Sequence, residues 1–443
     1  MANDISAFIP EVWAQESLAI LEENTVAANL VNRDFEDRVA NFGDVVNTRS
    51  ITKVEADRWQ SGDISLSDIT STNVAVPLDQ LGVKAFIIND KDMSMSMSDL
   101  FATYLKPHVQ AIARQIDETL INQKYQFLTN CVGKIGTALT KDSAVAVDKF
   151  FTDKNANGSR YALLSAAQKA DLLGETQFTD AYRLGDGGSA LRAGSLGELY
   201  GTNWLVAQNN KTVASGNTTI TAAVNHVGGY AAGTTAIVID STSTAGTAGG
   251  WCTIAGDMTP QRITSCTTTA LVISPGLRNA VANDAVVTFY TPGTVNLSAG
   301  YAAGFIDPIV TGTFSVAPQK GQLVSFGTGT SVYGAIGTPT TTSLKVDRPL
   351  AVALTNSEIV GVGPAGNYGF AFTKDALALV SRPLALSPAG AGATSYVASY
   401  NGLSVRVSFQ QDLLKSGGGM IVKVDTLYGV KALNTDAGCV ILS

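Results

Sequence analysis

Leu105, Val109, Ile112, Ile116 and Leu120 step along the chain by 4, 3, 4 and 4 residues, and this spacing constrains the fold more than any other feature. It lays one apolar stripe along an α-helix. Arg114, Gln115, Asp117, Glu118 and Gln123 fall on other faces. The pattern is read as a helical element over residues 98–130, about 50 Å long. That length exceeds the diameter of a compact domain, so the element is expected to act as a strut, with the five stripe residues as its packing face. Ser96 and Asp99 resemble a capping box with Asp in place of the preferred Glu. Pro107 is expected to kink the helix or to divide a short first helix from a long second one.

Upstream the period changes. Residues 10–31 carry Trp13, Leu18, Leu21, Val26 and Leu30 at mixed helical spacing, with Pro10 suited to a first turn. This predicts an N-terminal arm over 1–40. Asp44–Val54, Ile69–Leu78 and Val83–Ile88 read as strands. Between the first two lies a charged stretch centred on Trp59, with Gly62-Asp63 as a turn signal. Two strands of about ten residues reach roughly 33 Å. A hairpin of that reach with a charged tip cannot bury itself in its own domain, so 41–90 is read as a projecting loop. Its candidate inter-subunit contacts are Lys53, Glu55, Arg58, Trp59 and Asp63. Lys53 reads as an ordinary salt-bridging lysine.

Beyond the strut (91–135), residues 136–221 and 351–443 read as mixed α/β. Short helices are expected at Val145–Phe151, Leu164–Leu173 and Lys374–Val380, and strands at Trp204–Ala207, Leu403–Phe409 and Met420–Val424. Between them, 222–350 is sparse in charge and rich in Thr and Gly, which predicts an inserted all-β domain. It contains a repeat. Thr268-Thr-Ala-Leu-Val-Ile-Ser-Pro-Gly-Leu, then Ala280, Asn283 and Val286-Val, matches Thr341-Thr-Ser-Leu-Lys-Val-Asp-Arg-Pro-Leu, then Ala353, Asn356 and Ile359-Val, at a constant offset of 73. Thr234-Thr-Ala-Ile-Val-Ile-Asp echoes the first strand. Two related β-modules, or two halves of one barrel, are expected, with Leu271 equivalent to Leu344 and Val286 to Ile359. The second copy runs on to about Val360, so the domain edge falls beyond 350.

The chemistry-bearing residues are few. His108 and His226 are the two histidines, and neither has a Ser/Asp or Cys partner in a recognisable arrangement. Cys131, Cys252, Cys266 and Cys439 form no C-x-x-C pair and no zinc pattern. They are read as reduced thiols, with Cys252 and Cys266 at a spacing compatible with approach across a hairpin. Gly361, Gly363 and Gly366 spell G-x-G-x-x-G but lack the helix and the acidic partner of a dinucleotide site, so a turn is expected. Asp90, Asp92 and Asp99 lack the order of a calcium loop. No catalytic, cofactor or metal site is expected. A net charge of −7 does not favour a phosphate-gripping surface. The start of the chain has no secretory pattern, and no run is apolar enough to span a membrane.

The element order of arm, long hairpin, spine helix, mixed domain, β insertion and mixed domain resembles the major capsid proteins of tailed bacteriophages. So do three local stretches: Ala190-Leu-Arg-Ala-Gly-Ser-Leu-Gly-Glu-Leu-Tyr-Gly, Phe372-Thr-Lys-Asp-Ala-Leu-Ala-Leu-Val-Ser-Arg-Pro-Leu and Asp425-Thr-Leu-Tyr-Gly-Val-Lys-Ala-Leu. Asn434-Thr-Asp stands where the family often has Arg-Pro-Glu. The insertion resembles that of coat proteins from short-tailed Salmonella phages. The resemblance implies an α+β capsid fold with peripheral (91–135) and axial (136–221, with 351–443 shared) domains. It implies self-assembly into pentamers and hexamers forming an icosahedral shell around phage DNA, in the host bacterial cytoplasm. Implied partners are a scaffolding protein, a portal, double-stranded DNA without sequence-specific contacts and, in some shells, a decoration protein. Two alternatives compete: an encapsulin-like cellular shell, disfavoured by the insertion, and a secreted Thr/Gly-rich adhesin, disfavoured by the spine helix.

Overall fold

The computed structural model describes residues 8–33, 44–51, 71–89, 104–156, 158–175, 196–214, 219–240, 246–306, 308–312, 314–386, 393–400, 403–412 and 419–443. The architecture is α+β, in two compact units.

The first unit comprises Met1–Thr25, Val31–Gln115 and Leu377–Leu433. Its central strand is Gly419–Ala432. One edge of that strand pairs with Gln80–Asn89; the other pairs with Leu403–Asp412 and then with Leu377–Arg382. Ala393–Tyr400 extends the sheet beyond Leu403–Asp412. The N-terminal helix Phe8–Asn24 packs on these last two strands of the meander. It buries Trp13, Leu18 and Leu21, and Trp13 meets Phe409 with ring centroids 5.5 Å apart. Val45–Ile51 and Ser71–Pro77 form an antiparallel ladder. The root of this ladder is fixed by burial of Val76 and Leu78 against Ala378, Val380 and Leu427.

The spine helix ends earlier at its C-terminal side than its sequence pattern suggests, and residues 98–103 of the expected element lie outside the described residues. It runs from Lys106 to Asn122, about 25 Å, and then tightens into a 3-10 helix over Gln123–Phe127. The stripe ends because the next turn is enclosed on all sides: Gln123, Lys124, Tyr125 and Phe127 are all buried. Pro107 follows the π-helical residues Tyr104 and Leu105 at the start of this α-helix; the stretch before Tyr104, on which the expected kink or division depends, lies outside the described residues. The proposed cap at Ser96 and Asp99 lies outside the described residues. A helix over Lys374–Val380 is also not observed. One 3-10 turn, Lys374–Ala376, leads into the strand Leu377–Arg382, whose six residues are all buried. A run buried on both faces has no polar side to give a helical period. Leu164 closes the strand Arg160–Leu164, and the following helix is Ala166–Gly174. It starts there because Ser165 caps it, with Gln168 returning the bond.

The second unit comprises Val26–Leu30, Ile116–Ala376 and Asn434–Ser443. Its mixed sheet runs in the order Cys131–Gly133, Gly438–Leu442, Tyr368–Thr373, Arg160–Leu164, Thr202–Val206, Gly197–Leu199. Lys141–Asp153 and Ala166–Gly174 supply helices, and Val147, Phe151, Leu172, Trp204 and Ile441 lie in its core.

The all-β part of this unit is a tandem of two six-stranded antiparallel barrels. Numbered by position within each barrel, the hydrogen-bonded order is first, sixth, third, fourth, fifth, second in both. The bridge Val224–Ile239 closes the first barrel and Val295–Thr311 the second. Leu271 and Leu344 are fully buried in the fifth strands, and Val286 and Ile359 each begin the sixth. The barrel strands extend from Thr219 to Val362, and the whole sixth strand of the second barrel, Ile359–Val362, lies beyond residue 350. Residue 350 lies between two strands of one closed barrel, where a boundary would cut its core.

A second repeat strengthens the pairing. Gly229-Tyr-Ala-Ala-Gly and Gly300-Tyr-Ala-Ala-Gly recur at an offset of 71. Gly229 and Gly300 take φ of 69° and 65°, and a Cβ would lie 2.0 Å from Val281 O and 2.2 Å from Leu354 O. Only glycine fits such an approach. The tyrosines that follow accept from backbone N–H groups of Val238 and Val310.

Candidate assembly surface

The hairpin ladder ends at the pair Ile51–Ser71. Lys53, Glu55, Arg58, Trp59 and Asp63 fall between those residues in the chain and lie outside the described residues. Leu105, Val109, Ile112, Ile116 and Leu120 are each 2% exposed or less. In the first unit, Gly82 lets Gln80–Asn89 approach Ile112, because a Cβ there would already touch Ile112 Cγ2 at 3.3 Å. Phe86 stacks near Tyr104 and lies 4.5 Å from the His108 ring. His108 is therefore part of this packing, and its Nδ1 meets Tyr104 O. His226 stacks on Tyr230 and is held by Gly229 O. Gly361 and Gly363 pack barrel against barrel and strand against strand: a Cβ on Gly361 would lie 2.4 Å from Gly249 O.

The sequence reading missed the buried polar groups that fasten the second unit. Asp347 is fully buried. It accepts from Gly334 N at 2.9 Å and Gln123 Nε2 at 3.1 Å, and pairs with Arg348 at 3.2 Å. Burial pushes its carboxyl up, against the pull of Arg348. The second barrel is thus tied to the turn that follows the spine. Lys124, 1% exposed, donates to Asn210 Oδ1 at 2.7 Å and Tyr368 O at 2.9 Å, between the rings of Tyr125 and Tyr368. No carboxylate pairs with it among the described residues, and burial brings its ammonium down to about 7. Asp117 accepts from Ala27 N at 2.8 Å and Asn209 Nδ2 at 3.4 Å, and burial pushes its carboxyl up to about 6. Nothing in the spacing of these residues marks them. Their one sequence signal is a charge on or beside a strongly apolar stripe.

Among the described residues no His, Cys, Asp or Glu group is arranged to hold a metal, and no helix is long and apolar enough to cross a membrane. All four cysteines are free thiols. Burial raises Cys131 to about 11 and holds Cys252 and Cys439 well above the ordinary thiol range, so none is poised as a nucleophile.

Residues 30–234 match the family model described as Phage capsid protein. No curated protein matches the sequence. Among solved structures, a chain titled Mycobacterium phage Che8 is 14% identical, with a TM-score of 0.41 over 94% of this chain and 90% of that one. A chain from the capsid structure of Cyanophage P-SCSP1u is 11% identical, with a TM-score of 0.41 over 91% and 85%. One from the capsid of Myoviridae Phage XM1 is 9% identical, with a TM-score of 0.36 over 96% and 92%. Over residues 30–234 the chain is thus similar in sequence to phage capsid proteins.

Proposed function

We propose that copies of this chain form pentamers and hexamers that close into an icosahedral shell around double-stranded phage DNA. The observation that carries this reading is the match of residues 30–234 to the phage capsid model. In the proposed assembly the segment between Ile51 and Ser71 lies across a neighbouring copy, with Arg58 and Trp59 as its anchor and Lys53, Glu55 and Asp63 around them. A Trp/Arg pair suits that use, since such residues dominate interface energies. The spine stripe packs within the subunit. The two barrels form an insertion that stabilises the subunit or its neighbours. Assembly proceeds in the host cytoplasm with a scaffolding protein and a portal, and the shell holds DNA without sequence-specific contacts, consistent with a net charge of −7. The chain has no catalytic role in this reading, and its all-β part resembles the insertion of coat proteins from short-tailed Salmonella phages. Electron microscopy of the expressed chain, with its scaffolding protein, tests the proposal. Closed icosahedral shells are expected. Absence of any shell refutes it, and small shells loaded with an enzyme cargo would return the encapsulin alternative.

A further inference from the structure

Between the 3-10 turn that follows the spine helix and the facing walls of the two barrels lies a cleft of about 430 Å³. That volume is typical of small-ligand sites. Arg262 is the one charged residue in its lining; Trp251, Thr264, Ser274, Thr328 and Thr330 supply an aromatic wall and neutral hydroxyls. Arg262 is 7% exposed. Its guanidinium donates to Gly327 O at 2.7 Å, Phe326 O at 3.1 Å and, at the limit of a hydrogen bond, Ser331 O at 3.5 Å. Its Nε is enclosed and has no partner, and no carboxylate pairs with it among the described residues. Arg348 and Arg406, also largely enclosed, each have one: Asp347 and Asp425. A buried cation balanced only by carbonyls is costly, and an orphaned buried donor asks what is missing.

The internal repeat shows what fills the equivalent place. In the first barrel Arg262 stands opposite Ser274 on neighbouring strands. Ser274 corresponds, at the offset of 73, to Asp347 in the second barrel. There the carboxylate accepts the N–H of Gly334, the residue across the strand pair. The second barrel therefore supplies its own carboxylate at this position. The first has a short hydroxyl, a cation and an open cleft.

We propose that this cleft is a carboxylate-binding site, with Arg262 as the counter-charge and the hydroxyls of Thr264, Ser274 and Thr330 as further donors. A single cation with neutral donors suits a monoanionic carboxylate, to which guanidinium supplies a charge-assisted partner. The ligand chemistry has two sources: a free organic acid, or a Glu or Asp side chain of another polypeptide seated on the shell.

The test is calorimetric titration and thermal shift of the intact chain with acetate, succinate and the blocked peptide acetyl-Gly-Glu-Gly-amide, against chloride and sulfate at matched ionic strength. Saturable binding of at least one carboxylate is expected, weakened about tenfold or more in Arg262→Gln, as loss of a charge-assisted bond implies. Because Arg262 also holds the 327 turn, Thr264→Phe is the second variant. It fills the exposed mouth, leaves the guanidinium contacts in place, and should abolish binding. A preference for the peptide assigns the site to an acidic side chain and a preference for the free acids assigns it to a metabolite; both uphold the proposal. No saturable response to any carboxylate, an equal response to chloride or sulfate, or undiminished binding in Thr264→Phe overturns it.

Discussion

Replacing Lys124 with methionine tests whether the core of the second unit holds a lysine against its preferred charge. The side chain is fully enclosed, and burial brings its pKa from 10.5 to about 7. At about 1.4 kcal/mol per pH unit, keeping the ammonium there costs on the order of 5 kcal/mol relative to water. The folded form sheds its proton near pH 7, the unfolded form near 10.5, so between those values the unfolded chain binds more protons. Stability therefore rises with pH across that window. Below about pH 7 both forms are charged, the full cost is present, and the slope vanishes. Methionine removes the cost but leaves Asn210 Oδ1 and Tyr368 O without a donor, a loss of about 1–3 kcal/mol each. Near pH 6 these effects roughly cancel, and the variant should match the parent. By about pH 9 the parent has recovered roughly 3 kcal/mol that the variant never lost, so the variant becomes the weaker chain by about that amount. Urea unfolding of unassembled subunits at several pH values, with m unchanged, reads the difference. Asp117, pushed up to about 6, acts at lower pH in the opposite sense: its folded form keeps a proton that the unfolded form releases near 4, so stability falls as pH rises through that range. It is common to both chains and drops out of the subtraction. A parent–variant difference that stays flat from about pH 6 to 9 refutes the reasoning.

Ile116→Asp places a carboxylate at a site 1% exposed, at a cost of several kcal/mol unless it is neutralised or paired. Loss of soluble subunit and of shells is expected, and normal shells would dismiss the stripe as a packing face. Leu271→Ala and Leu344→Ala remove side chains that are both fully buried at matching places in the two barrels. Each should cost about 2–5 kcal/mol; a large loss in one barrel with none in the other, by calorimetry, would deny their equivalence. Changing Arg58 and Trp59 together to Ala should leave the melting of the unassembled subunit unchanged and impair shell yield or stability. A drop in subunit melting would make the hairpin tip intramolecular.

The features legible in the sequence were those carried by period and repetition. The 4-3-4-4 spacing marked the spine because an α-helix with one buried stripe must repeat near 3.6 residues. The offset of 73 marked two similar β units because equal cores need equal strands, and left open whether they were two modules or two halves of one barrel. What escaped was structure without a polar face. Leu377–Arg382 is buried on both sides and looks helical or extended with equal ease, and the 3-10 turn after Asn122 buries Gln123 and Lys124, which read in sequence as solvent-facing. The fastening groups Lys124 and Asp347 escaped for another reason. A charge in sequence reads as a solvated surface residue, and its partners, Asn210 and Tyr368 for one, Gln123 and Gly334 for the other, lie far away along the chain.

The two barrels separate what folding requires from what attachment requires. Shared between them are the strand order, the buried leucines, the Gly-Tyr-Ala-Ala-Gly turns, and Asp284 and Ser357, both with positive φ at an offset of 73. These features make a closed six-stranded barrel possible, so a duplicated barrel must keep them to fold. Their fastenings differ. Arg278 of the first barrel donates to Cys131 O at 3.1 Å; Ala351 stands at its counterpart and can donate no side-chain bond. Asp347 of the second barrel grips Gln123; Ser274 stands at its counterpart and lines the cleft instead. The first barrel is thus held through an arginine on the mixed sheet, the second through an aspartate on the turn that follows the spine. Two copies of one barrel can be bound to the same body at two places only if their surface residues differ while their cores agree. The functional differences between the two barrels are therefore to be sought at positions where the repeat breaks, and Arg262 with Ser274 is such a position.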